Sequence, residues 1–308
     1  MQVTRRALFA SSAGCWTAAA LAATKPRPLG INLYSIRDSL AKGVEPALAR
    51  LAEIGYTQVE LRPQNLTDWG PLLKKHGLKP VHMMIESACV TGRWDVYRAG
   101  LARRAAMTKS PAPPADAPVP TLAQMIELAA KNGLADIGIS YAAPEERPEP
   151  DGWERYAEQL SKAAIQCKAS GIGLYHHNHS VELAGEEGKR PIDRIAKASS
   201  RDVGFEIDIF WAAVGGADPA KLIRQLKGRI FSFHLKDRAP GTPVTHELTG
   251  LKPEWFREVG EGDLDMKGIL AAAKDSGARF WLVEQDFSQR DPLVSAEMSF
   301  KALRKLVA

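Results

Sequence analysis

Three short apolar runs each carry an acid or an imidazole at or near their ends: Phe205-Glu206-Ile207-Asp208, Phe233-His234-Leu235-Lys236 and Leu282-Val283-Glu284. A carboxylate, an imidazole and a second carboxylate make a donor set for a divalent cation. Mn²⁺ or Zn²⁺ stand foremost, with Mg²⁺ and Co²⁺ as further candidates. A second dense feature is His176-His177-Asn178-His179. On a strand, His177 and His179 share one face and His176 takes the other. One of the pair can then complete a four-ligand shell while the other bonds substrate. A purely structural alternative makes Asp208 a helix cap and Glu284 the ion-pair partner of Lys236.

These groups act together only if the chain brings distant segments to one place. Strand-like runs over 29–34, 58–62, 80–86, 135–141, 172–177, 203–208, 230–236 and 278–284 alternate with amphipathic stretches. The latter predict helices around 44–54, 66–76, 121–132, 152–169, 191–199, 218–227, 266–276 and 293–306. Several stop at a glycine, as in Ile54-Gly55 and Ser276-Gly277, where a left-handed residue closes the last turn. Eight strand–helix units predict an α/β fold, a single (β/α)8 barrel over residues 24–308. A doubly wound open sheet competes, but no G-x-G-x-x-G turn follows the first strand. In a barrel the C-terminal strand ends converge. Here they read Tyr34 with Arg37, Glu60, His82 with Glu86, Tyr141, His177 with His179, Asp208, His234 with Lys236, and Glu284. Ionisable groups at so many strand ends are costly to bury unless paired or metal-bound. Residues 107–120, with five prolines, predict a surface insertion after the third strand, and 144–150 a loop after the fourth.

The chain has 308 residues, 41 Lys+Arg against 36 Asp+Glu and a net charge of +5. Arg5 and Arg6 fall in residues 1–23, which hold no acid and run on into Ala, Ser and Gly. That segment is similar to a twin-arginine signal, with Ala20-Leu21-Ala22 at the cleavage position, and implies export to a periplasm. Ser12-Ala13-Gly14-Cys15 offers a lipoprotein box as a variant. No basic run with interleaved aromatics appears, which argues against nucleic acid. No apolar stretch long enough to span a membrane lies beyond the N-terminal region. Three cysteines exclude a disulfide scaffold, and Cys89 and Cys167 read as free thiols.

From Gly30 onward the chain resembles the xylose isomerase-like barrels, in the branch of sugar phosphate isomerases and epimerases. The resemblance is carried by Gly30-Ile31-Asn32-Leu33-Tyr34-Ser35-Ile36-Arg37-Asp38, by the run from Tyr175 to Glu182, and by Ile207-Asp208-Ile209-Phe210-Trp211. It continues in His234-Leu235-Lys236-Asp237, Val259-Gly260-Glu261-Gly262-Asp263 and Val283-Glu284-Gln285-Asp286. It implies a metal held by Glu, Asp, His and Glu from the last four strands. Asp208, His234 and Glu284 match three of these, and His177 stands at the first, where the epimerases carry an acid/base carboxylate. Glu182, five residues on, offers a carboxylate instead.

Such enzymes take a proton from carbon beside a carbonyl, and a bound cation stabilises the enediolate that forms. Glu284 or His179 is the expected base, with Lys236 stabilising oxygen charge. Tyr34, Arg37 and Trp211 are expected to orient the sugar, with Glu60, His82 and Glu182 also contacting it. The expected function is an exported, metal-dependent isomerase or epimerase of an unphosphorylated sugar or keto-sugar. Elimination from a 3-keto-glycoside is the alternative on the same site. A metal-dependent phosphodiesterase and a non-catalytic sugar-binding barrel are the readings from other classes. A homo-oligomer is compatible with all of them.

Overall fold

Short runs rich in Ile, Val, Leu and aromatics form the strands, and each is followed by a helix laid on the sheet. The computed structural model describes residues 27–108 and 118–307. The segment 1–23 lies outside these, as do 109–117, most of the proline-rich stretch. The strands are β1 (Gly30–Asn32), β2 (Gln58–Leu61), β3 (Lys79–Ile85), β4 (Asp136–Ile139), β5 (Gly173–His177), β6 (Val203–Asp208), β7 (Ile230–Leu235), β8 (Asp237–Arg238), β9 (Phe256–Arg257) and β10 (Phe280–Val283). Parallel pairing runs from β1 through β7 in sequence, then to β10, which closes on β1. The result is the expected (β/α)8 barrel. The antiparallel ribbon β8–β9 was not expected; it closes the 239–255 excursion that follows β7.

Twelve helices lie among the described residues. They are α1 (Arg37–Lys42), α2 (Val44–Ile54), α3 (Pro63–Lys75), α4 (Ala88–Thr91), α5 (Trp94–Thr108), α6 (Leu122–Lys131), α7 (Gly152–Ala169), α8 (Pro191–Ala198), α9 (Ile209–Val214), α10 (Pro219–Gln225), α11 (Met266–Ser276) and α12 (Pro292–Val307). Gly55 and Gly277 stop α2 and α11 with φ of 112° and 87°, in the left-handed region the sequence predicts. One expectation fails between β3 and α6. The sequence predicts only the insertion over 107–120 there, yet α4 and α5 precede it and α5 runs into its first residues, to Thr108.

Alternation along the strands sorts side chains by polarity. Val203, Phe205 and Ile207 of β6, and Phe233 and Leu235 of β7, join the apolar layer between barrel and helices. Their neighbours Glu206, Asp208, Ser232 and His234 contact one another inside the barrel. Barrels of this class ordinarily fill that space with branched aliphatic side chains. Here it holds Glu60, His82, Asp136, Tyr175, His177, Glu206, Asp208 and His234, each at most 3% exposed. Gly138 makes room for this packing, since a Cβ there would stand 2.1 Å from the Tyr175 ring.

Candidate metal centre at the barrel mouth

A cavity of about 630 Å³ opens over the C-terminal strand ends, where the sequence predicts the site. Tyr34, Tyr141, His177, His179, His234, Glu284 and Asp286 line it on the strand side. Val96, Tyr97, Gly100 and Leu101 of α5 form the opposite wall.

At its floor, four side chains from four adjacent strands or strand ends converge. His177 Nε2 lies 4.0 Å from Asp208 Oδ2, and His234 Nδ1 lies 3.8 Å from the same oxygen. His234 Nδ1 is also 3.3 Å from Glu284 Oε2. Donor atoms around a tetrahedral zinc stand about 3.3 Å apart, so small side-chain movements close this set around one ion. The Nδ1 of His234 is buried and makes no hydrogen bond. An acceptor-capable nitrogen left open between two carboxylates is what a cation site requires. The donor set therefore fits a divalent metal.

A layer beneath fixes the two imidazoles. Glu206 Oε2 lies 3.2 Å from His177 Nδ1 and 3.2 Å from His234 Nε2, and Glu60 Oε1 lies 3.1 Å from His234 Nε2. Each ring is thus held by its rear nitrogen with the front one turned toward Asp208. Ser232 donates to Glu206 Oε1 at 2.6 Å, Asn32 to Glu60 Oε1 at 2.6 Å, and Tyr175 to Glu60 Oε2 at 3.1 Å. Lower still, His82 sits 3.4 Å from Glu60, 3.5 Å from Glu206 and 3.0 Å from Asp136, which Arg279 reaches from below at 2.5 Å.

Charge explains much of this arrangement. Glu60, Asp136, Glu206, Asp208 and Glu284 are all buried, and Lys236 is the buried ammonium among them. Its Nζ donates to Asp208 Oδ2 and Glu284 Oε2 and lies 3.2 Å from Asp286 Oδ2. Burial opposes charge on His234, but Glu206, Glu284 and Glu60 outweigh it and hold its pKa well above the ordinary value. The position demands positive charge. Burial, aided by the charge of His234, instead pulls His177 down to about 3, leaving the neutral form that ligates. Asp208 also caps α9, its Oδ1 accepting from Trp211 N at 3.0 Å. Both contacts of the purely structural alternative are therefore present, and the Oδ2 side still faces the two imidazoles.

The remaining predicted residues fall into two groups. Tyr34 and His179 line the cavity. The His179 ring packs against Tyr141, His177 and Trp211 with centroids 5.9, 5.0 and 5.3 Å away, and its Nδ1 is unpartnered. Burial, then the neighbouring His177, pushes its pKa well below the usual value. Arg37 stacks on Tyr34 at 4.2 Å and donates to the Asp286 carbonyl at 2.7 Å, so it braces the rim. The others need correction. Glu60 and His82 lie inside the barrel below the centre, because inward positions one pleat down the strand cannot reach the mouth. Glu182 is buried behind His179, accepting from its backbone N–H at 2.9 Å, and Trp211 backs the same ring. Lys236 lies behind Asp208 and Glu284 rather than in the cavity wall. Sequence reasoning also passed over Glu206 and Asp286. Both stand two residues from a recognised acid; Glu206 shares the β6 face of Asp208, and Asp286 lies just past the end of β10.

Residues 48–306 match the family described as xylose isomerase-like TIM barrel. An inosose dehydratase of Lacticaseibacillus casei is 29% identical over 168 residues, covering 51% of this chain and 55% of that protein. The chain thus spans about half the length of the curated relatives it matches. A sugar phosphate isomerase/epimerase from Parabacteroides distasonis superposes with a TM-score of 0.69 at 20% identity, covering 93% and 97% of the two chains. A protein called IolI, solved with a bound zinc atom, gives 0.60 at 16% identity over 91% and 98%. The protein belongs to the xylose isomerase-like TIM barrel family.

Proposed function

We propose that this protein is a metal-dependent enzyme that removes the proton beside the carbonyl of an unphosphorylated keto-sugar or cyclic keto-polyol. His177, Asp208, His234 and Glu284 hold the cation. Bound there, the ion supplies Lewis-acid stabilisation of the enediolate oxygen. His179, which lines the cavity, takes the proton, and Trp211 and Glu182 hold the ring in place. Tyr34 and Tyr141 flank the bound ring.

The cavity's charge supports an unphosphorylated substrate. Among the described residues its lining has one permanent cation, Arg62, which is paired with Glu86 at 2.6 Å, against the carboxylates of Glu86, Glu146, Glu284 and Asp286. Such a lining repels a phosphoryl group. It also agrees with action outside the cytoplasm, the compartment that the Arg5-Arg6 segment suggests.

His177 in place of a carboxylate supports elimination of a β-substituent, as in dehydration or in lysis of a 3-keto-glycoside, and the dehydratase relative agrees. Epimerisation or isomerisation is the second reading. It is supported by His179 and Glu284 entering the cavity from β5 and β10, strands that do not adjoin. The carrying observation is the forward-facing Nδ1 of His234, which makes no hydrogen bond and stands 3.8 Å from Asp208 Oδ2 and 3.3 Å from Glu284 Oε2. The test is incubation of metal-loaded protein with keto-inositols and keto-sugars in D₂O. Metal-dependent α-deuteration is expected, with an enone absorbance marking elimination and a new sugar signal marking epimerisation. No exchange across the panel, with or without Mn²⁺ or Zn²⁺, would refute the proposal.

A further inference from the structure

The Lys236 ammonium occupies a singular place. It is fully buried and donates to Asp208 Oδ2 and Glu284 Oε2, the same two oxygens that His234 Nδ1 faces at 3.8 and 3.3 Å. An ammonium and a divalent ion held by those same oxygens at contact distance would repel each other strongly, because the site is buried and little screened. A third carboxylate stands beside them. Asp286 Oδ2 is buried, makes no hydrogen bond, and lies 3.2 Å from Nζ. Its backbone is pinned, since Arg37 donates to the Asp286 carbonyl at 2.7 Å. Phe210 and Trp211 rings lie 5.7 and 6.0 Å from Nζ, so the ammonium can turn without losing its favourable surroundings.

We propose that Lys236 is a tethered counter-ion that holds Asp208 and Glu284 together in the metal-free protein and passes to Asp286 when a divalent ion enters. It thereby weakens metal binding and keeps the ion exchangeable. The idea rests on the divalent centre proposed above. It predicts a coupling between Lys236 and Asp286 that a merely repulsive lysine would not produce.

The experiment is a double-mutant cycle on metal affinity, read by competition with a chromophoric chelator for Mn²⁺ and for Zn²⁺. The proteins are wild type, Lys236→Met, Asp286→Asn and the double variant, with Lys236→Gln as a second neutral replacement if Lys236→Met fails to fold. Lys236→Met is expected to bind at least tenfold tighter than wild type and to melt at lower temperature when metal-free. Asp286→Asn is expected to weaken binding about tenfold in the wild-type background and no more than threefold beside Lys236→Met. Equal effects of Asp286→Asn in both backgrounds, or unchanged affinity in Lys236→Met and Lys236→Gln, would overturn the handover. Wild type that binds no metal while Lys236→Met does would overturn the metal-dependent function and leave the lysine as a plug. If no variant binds, both readings fall.

Discussion

Glu206 grips two imidazoles with one oxygen, and replacing it by glutamine tests whether that grip sets the metal centre. The Oε2 atom accepts from His177 Nδ1 at 3.2 Å and lies 3.2 Å from His234 Nε2, whose own hydrogen bond goes to Glu60 Oε1 at 3.1 Å, while Oε1 takes the Ser232 hydroxyl at 2.6 Å. In Glu206→Gln the amide oxygen can replace Oε2, and the Ser232 hydroxyl can rotate to accept from the new NH₂. Both contacts survive in that arrangement, but with a neutral group. A hydrogen bond to a charged acceptor contributes ~1 kcal/mol more than one to a neutral acceptor, and loss of the charge beside His234 adds a similar ~1 kcal/mol, ~2 kcal/mol together. That corresponds to roughly a 30-fold loss of metal affinity, inside the 10–100-fold range typical of groups behind metal ligands. Competition with a chromophoric chelator measures the loss, and imidazole ¹⁵N shifts report whether the rear nitrogens keep their protons. Ser232→Ala is the control: it removes a bond to Oε1 only and should change affinity less than threefold. The reasoning fails if Glu206→Gln stays within threefold of wild type, or if Ser232→Ala is equally harmful.

Other outcomes follow from the same geometry. Asp208→Asn and Asp208→Ala should both lose the metal, by elemental analysis of purified protein. The alanine variant should also lose ~1 kcal/mol of stability in urea, because only it removes the cap on Trp211 N. His179→Gln should keep its metal content yet slow deuterium exchange about 10²–10⁴-fold, as loss of a positioned base does. Burial raises the Glu182 carboxyl to about 7, against the opposing bond from His179 N. With the folded pKa above the unfolded one, the native state binds more protons between roughly pH 4.5 and 7, so stability falls as pH rises through that window. Glu182→Gln should remove up to ~3 kcal/mol of that decline, measured as the difference between the two urea-unfolding series from pH 4.5 to 8.

The alternation that makes a barrel was plain in the chain because its helices end at glycines and its strands are short and apolar. Thus 44–54, 152–169, 203–208 and 266–276 coincide with α2, α7, β6 and α11. The helices between β3 and α6 were hidden by composition. The run Trp94-Asp95-Val96-Tyr97-Arg98-Ala99-Gly100 has no clean apolar stripe, so no helix is predicted ahead of the proline-rich residues 107–120. At the candidate site, residue type and strand end pointed to Asp208, His234, Glu284 and the His177–His179 pair, which the fold brings together. Depth did not follow from the same signal. Glu60 and His82 looked like mouth residues, yet the stagger of the strands places them lower, paired with Glu206 and Asp136. A pattern was available all the same. Glu206-x-Asp208 and Ser232-x-His234 each put polar groups two apart on one strand face, and Lys236, Glu284 and Asp286 continue the spacing just past the strand ends, which marks an interior that is polar through several levels.

That division of labour between the two faces of each stave has an evolutionary corollary. Cohesion resides in the sleeve of Val203, Phe205, Ile207, Phe233 and Trp281 against the helices, and it does not consult the lumen. Replacing one lumenal acid or imidazole by a neutral residue of like size changes what ion or reaction the lumen supports while the sleeve stays intact. Swapping chemistry in such a scaffold is therefore a matter of balanced charge exchange among neighbours, and single changes that leave an acid without its counterpart are the ones selection should remove first.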